Sequence, residues 1–178
     1  NYGTNLLLSD SGIMVAEADE FDRSFLRLHP EGAVVTAMDA DHMDIYRDMD
    51  DLRDAFVQFG RQTSGFLVVR KGLEDYFRKA DIRARIFTYG EGGDFHASDI
   101  VSDGQGKMFF TLNTPFGSLE HCHAGVPGKV YIENATAAAA IAMLHGTPAD
   151  SIREGIASFR GVARRFDIRF NVPGHTYI

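Results

Sequence analysis

Short apolar stretches that alternate with polar, helix-like segments constrain the fold of this chain more than any other feature. Two of the stretches are nearly apolar on both faces, as strands are when a sheet is covered on both sides. The predicted strands cover residues 12–17, 33–36, 66–69 and 85–89. The sequence therefore indicates a sheet whose central strands lie in the protein interior.

The segments between the predicted strands show helical periodicity. Residues 73–79 predict a short helix, and residues 49–60 predict a longer one. The longer helix has one apolar stripe, which consists of Leu52, Ala55, Phe56 and Phe59. Strands that alternate with helices are typical of a parallel sheet. The predicted fold class is α/β, with a mostly parallel sheet flanked by helices.

The pattern changes near residue 90, where glycine, asparagine and proline divide the chain into short segments. A small antiparallel β-sheet is predicted over residues 95–101, 107–117 and 118–126. An alanine-rich helix is predicted over 132–145, and a further helix follows it. Thr147 is its expected N-cap, Pro148 its first helical residue and Asp150 the third, which completes a capping-box pattern. We expect one domain over residues 1–166 and a strand or linker over 167–178.

The charge and the single cysteine of the chain exclude several classes of protein. The formal net charge is −7, whereas a nonspecific nucleic-acid binder needs a positive surface. No apolar run approaches the roughly 20 residues that span a bilayer. Cys122 is the only cysteine, so no intrachain disulfide can form, which fits a reducing compartment such as the cytoplasm. We expect Cys122 to be a small buried apolar residue.

Two clusters of acidic residues follow the first two predicted strands. Because ligands bind at the carboxyl ends of strands in open α/β sheets, neighbouring parallel strands would bring both clusters to one edge. A carboxylate from one cluster and the imidazole from the other would suit Mg²⁺ or Mn²⁺. The alternative is that the acids only terminate strands and cap the following helices. The clusters consist of Glu17, Asp19, Glu20 and Asp22, and of Asp39, Asp41, His42 and Asp44.

Three further groups of polar residues could carry chemistry, and each has a structural alternative. His121, Cys122 and His123 suggest zinc, but in a strand His121 and His123 share one face while Cys122 points to the other, which disfavours a shared ion. Asn134 could hydrogen-bond a base edge, or it could belong to the hydrogen bonding of a helix start. The adjacent Arg164 and Arg165 could bind phosphate oxygens, or they could be an ordinary pair of cations after a helix.

Five segments occur in the order seen in the Mur ligases, and together they cover nearly the whole chain. The segments are GTNLLL, VAEADEFDRSF, ADHMDIY, GVPG with ENATAAAAIA, and FRGVARRFDI. The sequence therefore resembles the Mur ligase family, and the second and third segments are most similar to its alanine-adding branch. The resemblance implies an ATP-dependent, Mg²⁺-requiring cytoplasmic ligase that joins L-alanine to UDP-N-acetylmuramate through an acyl phosphate during peptidoglycan synthesis.

The resemblance also implies roles for particular residues. Glu17 and His42 match the residues that hold the metal ion at the catalytic centre. The acids expected beside these ligands or on the substrate side are Asp19, Glu20, Asp41 and Asp44. The residues expected at the nucleotide are Asn134 at the adenine and Arg165 with its neighbour Arg164.

The sequence departs from the family pattern in ways that affect these expectations. It contains no G-x-x-x-x-G-K-[ST] phosphate loop, which in the family lies upstream of NYGTN. Tyr131 stands where many members have an asparagine near the adenine. Residues 45–65 contain no lysine, as expected of the alanine-adding branch. The resemblance thus implies a central ATP-binding domain over 1–166 that lacks its N-terminal part, a linker over 167–178 towards a C-terminal domain, and no activity of the chain alone.

Three other functions remain open from the sequence. One is the related ligase that attaches a recycled peptide to the same sugar nucleotide. Another is a metal-dependent hydrolase that uses Glu17 and His42 to activate water. The third is a noncatalytic module that binds a sugar nucleotide or a protein through acidic loops.

Overall fold

The computed structural model describes residues 7–40, 44–104, 107–162, 170–172 and 175–177. The chain divides into two compact units, Asn1–Phe87 and Thr88–Ile178. Each unit has its own core of buried apolar side chains. The expected boundary at residue 166 stays a prediction.

The first sheet contains three strands in the order β1-β2-β3. The strands are β1 (Gly32–Val35), β2 (Phe66–Arg70) and β3 (Arg85–Tyr89). β1 and β2 are parallel, with Gly32 opposite Phe66. Leu67, Val68 and Val69 are each fully buried, which explains why β2 is apolar at consecutive positions from Phe66 to Val69 rather than at alternate ones. The strand predictions at 33–36, 66–69 and 85–89 are confirmed.

Two α-helices and one 3₁₀ helix accompany this sheet. They are α1 (Met49–Gln62), α2 (Glu74–Arg78) and the 3₁₀ helix Phe21–Arg27. α1 begins after Asp48, whose carboxylate accepts a hydrogen bond from the Asp51 backbone N–H at 2.8 Å. The apolar stripe of α1 faces the core as predicted, since Leu52, Ala55 and Phe59 are buried and Phe56 packs against the same cluster.

The strand predicted over residues 12–17 is wrong. This segment has no regular secondary structure, and Ile13, Met14 and Val15 are 53%, 82% and 93% exposed. An apolar run becomes a strand only where a neighbouring strand satisfies its backbone N–H and C=O groups. Among the described strands, β1 pairs with β2 and none pairs with residues 12–17.

The second unit contains an antiparallel sheet and two helices. The strands are β4 (His96–Ser102), β5 (Met108–Thr114) and β6 (Gly117–Ala124), in that order. The helices are α3 (Lys129–Leu144) and α4 (Ala149–Ser158). Side chains of β5, β6, α3 and α4 form one buried cluster. The predicted α/β class with a separate antiparallel sheet is confirmed.

The start of α4 differs from the prediction. Pro148 is the N-cap rather than the first helical residue, and no side chain caps this end. The backbone N–H of Thr147 donates to the Ala142 carbonyl at 3.0 Å, so the Thr147 backbone is bonded to the last turn of α3. The carboxylate of Asp150, expected to complete a capping box, instead accepts from Arg153 Nη1 at 2.6 Å.

A short antiparallel hairpin lies near the end of the chain, formed by β7 (Phe170–Val172) and β8 (His175–Tyr177). The linker expected over 167–178 stays a prediction. Among the helices that the structure describes, none has the length and apolar character that crossing a bilayer requires.

Candidate functional site

The acidic loop, residues 17–22, follows the exposed apolar segment and includes the first two residues of the 3₁₀ helix. Glu17 and Asp19 are exposed, and Glu20 is half-buried. An Asp19 carboxylate oxygen accepts from the Phe21 N–H at 2.9 Å, and the Asp19 carbonyl accepts from the Phe25 N–H at 3.1 Å. Asp19 therefore stabilises the turn into the helix, while the Glu17 carboxylate extends from the chain before that turn.

The loop ends in an unusual backbone conformation. Asp22 and Arg23 have φ values of 53° and 55°, in the left-handed region that residues with a Cβ atom seldom adopt. Such conformations persist where surrounding contacts hold them in place. The contacts made by Arg23 provide this restraint.

Arg23 is the residue through which the loop reaches α1. Its Nη2 atom lies 2.5 Å from Oδ2 of Asp51, a residue that is only 8% exposed. Its guanidinium carbon lies 4.7 Å from the centroid of the Tyr46 ring, within the range of a cation–π contact. The Tyr46 hydroxyl donates to the Glu20 carbonyl at 2.7 Å.

The Asp51 carboxylate accepts hydrogen bonds from two arginines. The backbone N–H of Arg47 donates to Oδ2 at 3.1 Å, and the side chains of Arg23 and Arg47 contact the same oxygen. These bonds favour the charged form and hold the pKa of Asp51 well below its usual range, the Arg47 backbone N–H having the largest effect. Burial raises the pKa of Tyr46, which favours the protonated hydroxyl that donates to the Glu20 carbonyl.

Sequence patterns did not reveal Arg23, Tyr46 and Asp51 as residues near the site. Arg23 and Asp51 are 28 positions apart, so no local periodicity connects them. The one available sign was the position of Arg23, a cation that directly follows a run of acids. A cation in that place either neutralises the run or pairs with a more distant carboxylate, and the structure shows the second.

The second acidic cluster is described in part. Asp39 and Asp44 are exposed, whereas Asp41 and His42 lie outside the described residues. The convergence of Glu17 with His42 therefore stays a prediction. Within the described residues, no group of three or more His, Cys, Asp or Glu side chains is arranged to hold a metal ion.

The predicted nucleotide residues belong to the second unit. Asn134 lies in the second turn of α3 and is exposed. The adjacent Tyr131 is half-buried, and its ring centroid lies 6.4 Å from that of Phe159. Arg164 and Arg165 lie outside the described residues, so their role stays a prediction.

His121, Cys122 and His123 lie on β6 and differ in burial. Cys122 is fully buried, its thiol donates to the Leu119 carbonyl at 3.4 Å, and burial raises its pKa. The His121 side chain is 93% exposed. Cys122 is thus the buried apolar residue expected from the sequence, and its raised pKa disfavours a nucleophilic thiolate.

Residues 5–142 match the family of the Mur ligase middle domain. A UDP-N-acetylmuramate–L-alanine ligase of Phocaeicola vulgatus is 46% identical over 173 residues, which are 95% of this chain and 37% of that protein. A ligase of the same name from Flavobacterium psychrophilum is 39% identical over 182 aligned residues, covering 100% of this chain and 38% of that protein. The chain thus spans less than two fifths of the length of these relatives.

Solved structures show the same fold. A UDP-N-acetylmuramate-alanine ligase, MurC, from Thermotoga maritima matches with a TM-score of 0.71 at 23% identity, covering 88% of this chain and 35% of that chain. MurF from Acinetobacter baumannii matches with a TM-score of 0.70 at 22% identity, covering 87% and 35%. At these identities the likeness concerns the fold.

Proposed function

The chain belongs to the Mur ligase family through its middle domain, and from that premise we propose that it is the nucleotide-handling part of a ligase that joins L-alanine to UDP-N-acetylmuramate. The observation that carries the proposal is the 46% identity across 95% of the chain to a relative of that name. The VAEADEFDRSF and ADHMDIY segments are most similar to the alanine-adding branch of the family, and this similarity supports the same substrate pair.

The proposed reaction has two steps. The carboxylate of UDP-N-acetylmuramate takes the γ-phosphoryl group of ATP, which gives an acyl phosphate and ADP. The amine of L-alanine then attacks the acyl carbon, the amide bond forms, and inorganic phosphate leaves with the electrons of the broken C–O bond. Because charge accumulates on phosphoryl oxygens, the protein contributes chiefly positioning and electrostatic stabilisation.

The acidic loop fits a hard divalent cation. Mg²⁺ prefers oxygen ligands and takes few from the protein, and the exposed Glu17 carboxylate offers such an oxygen outside any regular element. A bound Mg²⁺ would neutralise phosphate charge. Glu17 and a neutral His42 are the proposed ligands. The neighbouring acids would orient these ligands or contact substrate, and they are Asp19, Glu20, Asp41 and Asp44.

The second unit would contact the nucleotide. Asn134 is exposed on α3, where its amide can both donate to and accept from a base edge. Arg164 and Arg165 would bind phosphate oxygens through their guanidinium forks. Tyr131 would contribute an aromatic surface where other members have an asparagine.

The remaining features of the proposal concern the whole protein. Residues 1–166 would be most of the central domain, and residues 167–178 would lead to a C-terminal domain of the same polypeptide. The substrates are cytoplasmic metabolites in this scheme, so the enzyme would act in the cytoplasm. No membrane or nucleic acid takes part.

The test is a ligase assay of the complete gene product that contains this chain. We expect phosphate release that requires UDP-N-acetylmuramate, L-alanine, ATP and Mg²⁺ together. Glu17→Gln keeps the size of the side chain and removes its charge, so it should abolish turnover. Glu154→Gln is the matched control, because Glu154 is an exposed glutamate on α4.

Each other outcome overturns a defined part of the proposal. Turnover with a peptide but not with L-alanine would identify the recycling ligase. Hydrolysis without ATP would indicate a metal-dependent hydrolase. Full ligase activity of the Glu17→Gln enzyme would exclude Glu17 from the metal site.

A further inference from the structure

We propose that Arg23, Tyr46 and Asp51 form a clasp that positions the acidic loop for metal binding by holding it against the segment that precedes and begins α1. The inference rests on the proposed function, because it concerns how the loop that carries Glu17 is placed. It assigns to three residues outside the metal-ligand set a role that can be measured independently of turnover.

The clasp joins two distant parts of the chain by three contacts. Arg23 Nη2 lies 2.5 Å from Asp51 Oδ2, its guanidinium carbon lies 4.7 Å from the Tyr46 ring centroid, and the Tyr46 hydroxyl donates to Glu20 O at 2.7 Å. Tyr46 is 2% exposed and Asp51 is 8% exposed. The acidic loop is therefore held to a buried surface at two points, its Glu20 backbone and the Arg23 side chain.

The backbone of the loop is shaped by the same contacts. Asp22 and Arg23 occupy the left-handed region with φ values of 53° and 55°, which is unfavourable for residues with a Cβ atom. This geometry accompanies an Arg23 side chain that reaches Asp51, while Glu17 and Asp19 stay exposed to solvent. The Arg23 guanidinium therefore pairs with Asp51 rather than with the exposed acids of the loop.

The sequence positions of the clasp connect it to the proposed ligands. Glu20 follows Glu17 by three residues, and Tyr46 follows His42 by four. The hydrogen bond from Tyr46 to the Glu20 carbonyl limits how far the loop that carries Glu17 can move away from Tyr46. Mg²⁺ requires nearly ideal octahedral geometry, so a loop whose position is not restrained would bind it poorly. Residues that orient ligands in this way commonly change metal affinity by about 10–100-fold when they are replaced.

Electrostatics alone predicts the opposite result for Arg23. Removing a positive charge next to an acidic loop lowers the repulsion felt by a divalent cation, which should tighten binding. Removing the clasp should weaken binding, because the loop loses its restraint. The sign of the change in metal affinity therefore separates a positioning role from a purely electrostatic one.

The experiment measures Mn²⁺ dissociation constants of the complete gene product, from the electron paramagnetic resonance signal of free Mn²⁺. Arg23→Ala should weaken the Glu17-dependent site about 10–100-fold. Tyr46→Phe removes one hydroxyl without changing the ring, and it should weaken binding roughly 2–10-fold. Arg27→Ala is the matched control, because Arg27 is an exposed arginine of the same 3₁₀ helix, and its loss should leave affinity unchanged or slightly tighter.

Two results would refute the clasp, one without and one with a loss of thermal stability, and a third would refute the metal site itself. Unchanged or tighter Mn²⁺ binding by both Arg23→Ala and Tyr46→Phe would refute the clasp alone, provided that Glu17→Gln abolishes the site. A loss of thermal stability with unaltered Mn²⁺ affinity would make the three residues merely structural. A wild-type protein without a Glu17-dependent Mn²⁺ site would refute the proposed metal site and leave the clasp nothing to position.

Discussion

Replacing Phe25 with alanine should destabilise the first unit more than any substitution on the acidic loop itself. The Phe25 side chain belongs to the 3₁₀ helix and is 2% exposed. Its ring centroid lies 5.2 Å from the centroids of both Phe56 and Phe59 on α1. The residue thus packs the 3₁₀ helix that follows the acidic loop against α1.

The expected magnitude follows from these contacts. Transferring a fully buried phenylalanine side chain from water contributes about 1.5–3 kcal/mol, and an unfilled cavity adds to the loss, so Phe25→Ala should cost about 3–5 kcal/mol. A domain of this kind is stable by about 5–15 kcal/mol. Phe21→Ala is the matched control in the same helix, and since Phe21 is 48% exposed, about half the transfer free energy applies, or about 1 kcal/mol.

The assay is hydrogen exchange of the α1 backbone amides, followed by mass spectrometry. This reports the stability of one element even when the two units do not unfold together. A loss of 3–5 kcal/mol corresponds to roughly 10²–10⁴-fold faster exchange. If Phe25→Ala accelerated exchange no more than Phe21→Ala does, the packing of the 3₁₀ helix on α1 would not stabilise this unit.

Three smaller predictions concern other parts of the chain. Asp48→Ala should destabilise α1 by about 1 kcal/mol because the Asp51 N–H loses its cap, and α1 exchange measures this. Leu112→Ala should cost about 2–5 kcal/mol of unfolding free energy, since Leu112 is fully buried in β5. Hydrogen bonding from Lys71 lowers the pKa of Glu74 from 4.5 to about 2, so this bond stabilises the fold fully above pH 4.5 and less as the pH falls towards 2; Glu74→Gln should flatten that part of the stability profile.

Each of these predictions has a result that would contradict it. Asp48→Asn, which retains a side-chain acceptor, should be nearly neutral, and an equal loss would show that capping is not the cause. Val101→Ala on β4 is the control for Leu112, because Val101 is 62% exposed, and equal losses would argue against the described core. An unchanged acid limb in Glu74→Gln would show that the Lys71 bond does not stabilise the folded state.

Patterns within a few residues predicted much of the fold. The continuous apolar run of β2 and the apolar stripe of α1 each reflect burial of that element, so composition and periodicity were sufficient. Residues 12–17 share the composition of a strand but have no described strand beside them, and a single sequence does not report pairing. Thr147 is a residue type that commonly caps helices, but its backbone N–H is bonded to α3, and a local pattern does not report that bond.

The candidate site, like the fold, was predictable from the sequence only in part. The acids of the loop were visible in the sequence because they are adjacent, and the roles of Glu17, His42 and Asn134 came from resemblance to the Mur ligases. The clasp was not visible, because it depends on a contact across 28 residues and on a backbone conformation that composition does not specify.

The central claim is that Glu17 and His42 bind one divalent cation, and pulsed electron paramagnetic resonance of the Mn²⁺-loaded gene product tests it most directly. An imidazole ligand gives a nitrogen hyperfine coupling on the ion. We expect this coupling in the wild-type protein and in His29→Gln, an exposed histidine of the same unit, and its loss in His42→Gln. A coupling that persists in His42→Gln, or a wild-type spectrum without nitrogen coupling, would contradict the claim.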